Sequence, residues 1–258
     1  MKIVRFKGPD GILYGAAEGD GIRVAQGSPL VEWEETDTVL PYEDVELLSP
    51  VFPTKVVCVG RNYADHAAEL GNEVPERPVL FLKPSTWVIG PNAPIVLPPE
   101  AEVVHHEAEL AVVIGSLTRN VAAEDVGRHI LGYTCANDVT SRDMQRIDGQ
   151  WTRAKGFDSF CPLGPAISTE FDPLEGMRVS ASVNGEIRQD GATSDMVFGV
   201  AELVAYMSRV MTLLPGDVVL TGTPAGVGPI EAGDVVEVEI EGIGVLRNPV
   251  VTAREPVR

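Results

Sequence analysis

The stretch Val103-Val104-His105-His106-Glu107-Ala108-Glu109-Leu110-Ala111-Val112-Val113-Ile114 decides the fold of this chain. Its second half, 110–114, is apolar on both faces, as a strand covered on both sides must be. Residues two apart in a strand share a face. Glu107 and Glu109 therefore project together from the mouth of a buried strand, with His105 on their side and His106 opposite. Two adjacent anions repel one another and are costly to desolvate. A bound cation removes both penalties. Carboxylate oxygens suit a hard ion, so Mg²⁺ is expected ahead of zinc, with Mn²⁺ or Ca²⁺ as alternatives. The reading without a metal has one glutamate facing solvent at a strand end.

Working outward, Asp138 closes a second apolar run, 131–137, at the point where a strand gives way to a loop. It is the natural third ligand; its structural alternative is a turn or capping residue. His66 and Glu69 stand three apart on a short expected helix and so on one face, as a general base backed by a carboxylate requires. Without a substrate the same pair is an ordinary surface contact. Arg61, Arg142, Gln145, Arg153 and Lys155 are candidates to anchor a substrate carboxylate. Thr221-Gly222-Thr223-Pro224, after an apolar strand, offers backbone N–H and a hydroxyl to an anion.

Farther out, short apolar or alternating runs at 2–6, 12–17 and 21–25 are separated by turn residues, beginning with Gly8-Pro9-Asp10. An acidic connection (Glu32, Glu34, Glu35, Asp37) leads to a boundary near residue 53. The expected division is a small β-rich domain over 1–53 and a catalytic domain over 54–258. An apolar strand at 55–59 precedes Asn62, an expected N-cap for a helix over 63–70. The Pro- and Gly-rich segment 71–99 reads as a long, mobile loop around a strand at 79–83. A helix is expected over 122–129, and another where Leu203, Val204, Met207, Val210 and Met211 recur at helical spacing. Val236, Val238 and Ile240 alternate with Glu237, Glu239 and Glu241, as a strand with one wet face should. Strands and few helices without regular alternation favour an α+β, β-rich fold.

The 258 residues carry 20 Lys plus Arg against 38 Asp plus Glu, a formal charge of −18. With no basic cluster, that field argues against a nucleic-acid partner. Three scattered cysteines form neither a zinc knuckle nor a disulfide framework, which suits a reducing cytoplasm. No apolar run is long enough for a membrane span. No G-x-S-x-G elbow, H-E-x-x-H or Walker A sequence is present.

Several segments together resemble the fumarylacetoacetate hydrolase family: Val59-Gly60-Arg61-Asn62-Tyr63-Ala64-Asp65-His66, Leu80-Phe81-Leu82-Lys83-Pro84, the stretch from His106 to Gly115, Asn137-Asp138-Val139-Thr140-Ser141-Arg142-Asp143, Ala154-Lys155-Gly156-Phe157-Asp158, and Leu214-Pro215-Gly216-Asp217 with Thr221-Gly222-Thr223-Pro224-Ala225-Gly226. They stand in the family's order over residues 55–251. The resemblance implies a mixed β-roll with a small N-terminal domain, a homodimer, and Mg²⁺ or Mn²⁺ on Glu107, Glu109 and Asp138. It implies an active-site Lys155 and a lid helix, within 61–76, bearing His66 and Glu69. The expected activity is cleavage of a C–C bond in a 2-oxo or 2,4-dioxo acid, as acylpyruvate hydrolysis or oxaloacetate decarboxylation through a metal-bound enolate. Lys155 would hold the keto side, with Arg61 and Gln145 on the substrate's carboxylate or far end and Gly222 and Thr223 lining its site. Isomerisation of a 2-hydroxydienoate is the alternative. A non-enzymatic module built around structural Ca²⁺ is the alternative of another class.

Overall fold

The structure, a computed structural model, describes residues 1–9 and 11–253. Asp10, part of the expected first turn, lies outside the described residues. The N-terminal alternation builds a meander of β1 (Lys2–Gly8), β2 (Gly11–Glu18), β3 (Gly21–Gly27) and β4 (Trp33–Pro41), with β5 (Glu46–Leu48) returning to pair with β1. The acidic stretch expected as a connection is instead the first half of β4. An edge strand with both faces wet can be charged throughout, because only its backbone needs a partner.

β6 (Lys55–Gly60) and β7 (Val79–Pro84) pair antiparallel, with α1 (Ala64–Glu69) between them in sequence. Asn62 does not cap α1. Its buried amide instead donates to the carbonyls of Phe198 and Thr221, and its Oδ1 accepts the Phe198 amide. The segment 71–99 is less loop than expected: a 3-10 turn at Ser85–Trp87, β8 (Val88–Ile89) and β9 (Ile95–Leu97) follow β7, and buried Trp87 and Ile95 anchor them.

The deciding stretch forms two strands, β10 (Val104–His106) and β11 (Ala108–Ile114), interrupted at Glu107. A 3-10 helix rather than an α-helix covers Ala123–His129. Then come β12 (Ile130–Asn137), β13 (Thr140–Ser141) and α2 (Arg142–Asp148), followed by β14 (Cys161–Ser168), β15 (Arg178–Val183) and β16 (Glu186–Ala192). The elements expected from the sequence do not include α2, β14, β15 or β16. The C-terminal part holds α3 (Val200–Val210), β17 (Val218–Leu220), β18 (Gly228–Pro229), β19 (Val235–Ile240) and β20 (Gly244–Thr252). Leu203, Val204 and Met207 of α3 are buried as expected, whereas Val210, at its last turn, points outward.

A large mixed sheet runs β4-β3-β2-β1-β14-β12-β11-β17-β6-β7; a five-stranded sheet runs β16-β15-β19-β20-β9; and a small one joins β13-β10-β18. β11 lies deep in the large sheet and is buried on both faces. Leu110, Val112 and Ile114 pack with Val179, Val238 and the inner face of α3, while Ala111 and Val113 pack with Val56, Leu163 and Leu220. The buried strand thus presents its charged mouth, 107–109, where the large and small sheets meet. No helix among the described residues is long and apolar enough to cross a membrane.

Candidate metal and proton-transfer site

The β11–β12 ladder and the β10–β13 ladder share one register, continuous from Ala108↔Asn137 to His105↔Thr140. Glu107 therefore lies directly opposite Asp138, where the Asp138 amide donates to the Glu107 carbonyl at 2.9 Å. Like charges directly opposite in a sheet are destabilising. Glu109 adds a third carboxylate, and one oxygen from each of the three residues lies within 4.8 Å of the others. Their relative exposures are 4%, 1% and 0%, so water cannot screen the repulsion.

Three cations pair with two of these carboxylates, Glu107 and Asp138. Lys155 Nζ donates to Glu107 Oε2 at 2.8 Å, to Asp138 Oδ2 at 2.6 Å and to Thr140 Oγ1 at 2.8 Å. Arg142 Nη2 pairs with Glu107 Oε1 at 2.6 Å, and Lys83 Nζ with Asp138 Oδ1 at 2.6 Å. Glu109 is different: among the described residues no Lys or Arg pairs with it, and its Oε2 accepts the Gly222 amide at 2.6 Å. Burial, then Asp138 and Glu107, push the Glu109 carboxyl well above its ordinary range. Burial alone would raise Glu107 too, but Lys155 and Arg142 outweigh it and keep that carboxyl below the ordinary range. Lys155 is lowered by burial and raised by Asp138 and Glu107; the carboxylates prevail, so it stays charged. An all-carboxylate donor set with one anion lacking a counter-charge fits a hard divalent cation.

The triad opens onto a cleft of about 400 Å³ lined by His66, Arg61, Gln145, Arg146, Trp151 and Lys155, among others. His66, on α1, is buried and its Nδ1 lies 3.4 Å from Glu69 Oε2. Glu69 in turn accepts the Gly226 amide, at 3.1 Å to Oε1 and 3.2 Å to Oε2. Burial lowers the His66 pKa more than Glu107 and Glu69 raise it, so the ring is neutral near pH 7. His105 also lines the cleft, and its pKa falls to about 4 through burial and the nearby Arg142. Arg61 holds a left-handed backbone (φ 61°) at the rim, uncommon for a residue with a side chain.

The structure thus brings together Glu107, Glu109, Asp138, His66, Glu69, Lys155, Arg61, Gln145, Gly222 and Thr223 around one cleft, with Asp138 and Glu69 behind its wall. Arg153 does not belong there: it is exposed and bonded to Asp148 at 2.6 and 2.8 Å. Arg142 faces the cleft but is committed to Glu107 and to Gln145 Oε1. The donors of Gly222 and Thr223 are also engaged, the amide by Glu109 and the hydroxyl by the Ala108 carbonyl. Gly222 has φ +92°, and a Cβ there would lie 2.8 Å from that of Asn62, so only glycine lets its amide reach Glu109. Lys83, Thr140 and Trp151 were given no role from sequence. Lys83 had a visible signal: a lysine in the otherwise apolar strand β7.

The fumarylacetoacetate (FAA) hydrolase C-terminal family model matches residues 55–251, and the Rv2993c-like N-terminal model matches residues 1–50. The 5-carboxymethyl-2-hydroxymuconate delta-isomerase structure from Mycobacterium smegmatis is 50% identical, covers 98% of this chain and 100% of its own, and superposes with a TM-score of 0.92. The human mitochondrial oxaloacetate tautomerase FAHD2A is 46% identical over 226 residues, 83% of this chain and 72% of that protein. A maleylpyruvate hydrolase from Sphingobium sp. SYK-6, solved with manganese(II) and pyruvate, is 33% identical with a TM-score of 0.81, covering 98% and 100% of the two chains.

Proposed function

The chain belongs to the fumarylacetoacetate hydrolase family and has its β-rich fold, and on that premise we propose that it is a metal-dependent enzyme that moves a proton at C3 of a small 2-oxo dicarboxylate. The observation that carries this reading is a buried, carboxylate-backed imidazole in the same cleft as the acidic triad. Ionised Glu69 can only accept, so it fixes the ring proton on Nδ1 and leaves the Nε2 lone pair to take a proton. Glu107, Glu109 and Asp138 would hold Mg²⁺ or Mn²⁺. When bound, such an ion acts as a Lewis acid on the 2-oxo group and acidifies the neighbouring C–H.

Lys155 cannot accept a proton while held charged; it supplies a fixed positive charge beside the reacting oxygens. Gln145, Arg61 and Arg146 line the cleft and would orient the far carboxylate. Three buried anions against three cations make the side-chain set formally neutral, so a divalent ion leaves a surplus that suits a dianion. The isomerase and the tautomerase, at 50% and 46% identity, move proton transfer ahead of C–C cleavage, which the reading of the sequence placed first.

Cleavage is the second reading, favoured by the hydrolase likeness and by a base that can equally deprotonate water. Incubation with Mn²⁺ and, separately, enol-oxaloacetate, a 2-hydroxydienoate and acetylpyruvate separates them. Ketonisation or isomerisation without loss of carbon supports the first reading; pyruvate release from acetylpyruvate as the fastest reaction replaces it with the second. The homodimer implied by the resemblance belongs to the same proposal, and sedimentation velocity checks it.

A further inference from the structure

In β16 every side chain is exposed or half-buried except one: Gln189 is fully buried, at 0% exposure. A polar side chain without water must satisfy both its carbonyl and its amide. Gln189 Oε1 accepts the Ala108 amide at 2.9 Å, and Nε2 donates to the Pro224 carbonyl at 2.8 Å. Main-chain N–H groups only donate and carbonyls only accept, so these two partners fix the orientation of the side-chain amide. His106 Nδ1, 3.0 Å from Oε1, must then carry its ring proton and donate. The second Nε2 hydrogen goes to Thr223 Oγ1 at 2.7 Å, whose hydroxyl donates to the Ala108 carbonyl at 2.7 Å. All four bonding positions are filled, which leaves none for a substrate.

The two segments joined in this way hold opposite halves of the site. His106 and Ala108 flank Glu107. Thr223 and Pro224 belong to the turn whose Gly222 amide binds Glu109 and whose Gly226 amide binds Glu69. The turn lies tight against β16: a Cβ on Gly226, at φ +97°, would stand 2.1 Å from the Arg188 carbonyl oxygen.

We propose that Gln189 is a positioning residue that locks the 222–226 turn to the Glu107 strand break and so fixes the spacing between the acidic triad and the His66–Glu69 dyad. The inference rests on the reading of the cleft given under Proposed function. Gln189→Met preserves length and removes all four bonds; Gln189→Glu preserves the two acceptor bonds and leaves at most one of the two donations to the turn. Partners that orient such groups from behind are worth about 10–100-fold in affinity or activity.

The test is Mn²⁺ affinity by EPR titration of chelator-stripped protein, together with kcat and KM for enol-oxaloacetate. Both variants are expected to bind Mn²⁺ about 10-fold or more weaker and to lose kcat by at least as much, with KM changing less. Should Gln189→Met not fold, Gln189→Glu carries the reading alone. Val179→Ala, a core truncation in the neighbouring strand β15, serves as the control: it lowers Tm and is expected to leave Mn²⁺ affinity and kcat as in the parent. Parental Mn²⁺ affinity and kcat in the folded Gln189 variants, or equal losses in Val179→Ala, would overturn the proposal. If the parent binds Mn²⁺ but turns over no 2-oxo acid, the reaction is wrong and Mn²⁺ affinity alone decides the role of Gln189.

Discussion

Lys155 Nζ lies 2.6 Å from Asp138 Oδ2, at the centre of a buried group of three carboxylates and three cations. Replacing it with methionine removes a charge that assists the reaction and also opposes a metal ion. Lys155→Met is expected to lower kcat by about 10²–10³ while binding Mn²⁺ at least as tightly as the parent, measured on the same preparation by steady-state kinetics and EPR. Weaker Mn²⁺ binding would mean that the lysine shapes the metal site rather than the substrate's charge.

His66 acts in its neutral form, and burial holds its pKa below 6.5. Falling pH protonates the ring and removes the base, so the acid limb of kcat/KM is expected below pH 6.5. His66→Ala should cost about 10²–10⁴ in kcat. Glu69→Gln removes a charge that raises the His66 pKa and should move the acid limb to still lower pH. A limb unmoved in Glu69→Gln would break the link between the two residues.

Glu109 gives a prediction for stability. Its carboxyl is raised in the folded, metal-free protein. A group of this kind contributes stability while protonated, in full below its unfolded value of about 4.3, and that contribution is lost as pH rises through the folded value. Metal-free Glu109→Gln should therefore melt above the metal-free parent at neutral pH, and the gap should close as pH falls toward the ordinary glutamate range. Saturating Mn²⁺ should reverse the order, because only the parent gains from tight binding. Thermal melts across pH, with and without Mn²⁺, read all three effects.

Much of the site was legible because it follows from strand periodicity. Glu107 and Glu109 share a face by the two-residue repeat, and Asp138 directly follows β12, whose continued register sets it opposite Glu107. Less legible was everything that depends on which segments meet in space. Lys83 appeared only as a lysine in an apolar run, yet it pairs with Asp138, 55 positions away in the chain. Gln189 sits in a strand whose other positions are exposed or half-buried, so no hydrophobic pattern marked either the strand or the residue. β14 was hidden by Pro162, Gly164 and Pro165, and β4 by its charge, since an edge strand needs no apolar face. Gly222 and Thr223 read from sequence as donors to a substrate anion, but the Gly222 amide goes to the protein's own Glu109 and the Thr223 hydroxyl to the Ala108 carbonyl.

The central claim is that Glu107, Glu109 and Asp138 hold one divalent ion on which the chemistry depends. Titration of chelator-stripped parent and Glu109→Ala with Mn²⁺, followed by EPR, tests it most directly. The expected result is one ion per chain in the parent and, in Glu109→Ala, a loss of affinity greater than the roughly 10–100-fold that removing an outer-sphere partner costs. A parent that binds no Mn²⁺, or a variant that binds it as tightly as the parent, would contradict the claim.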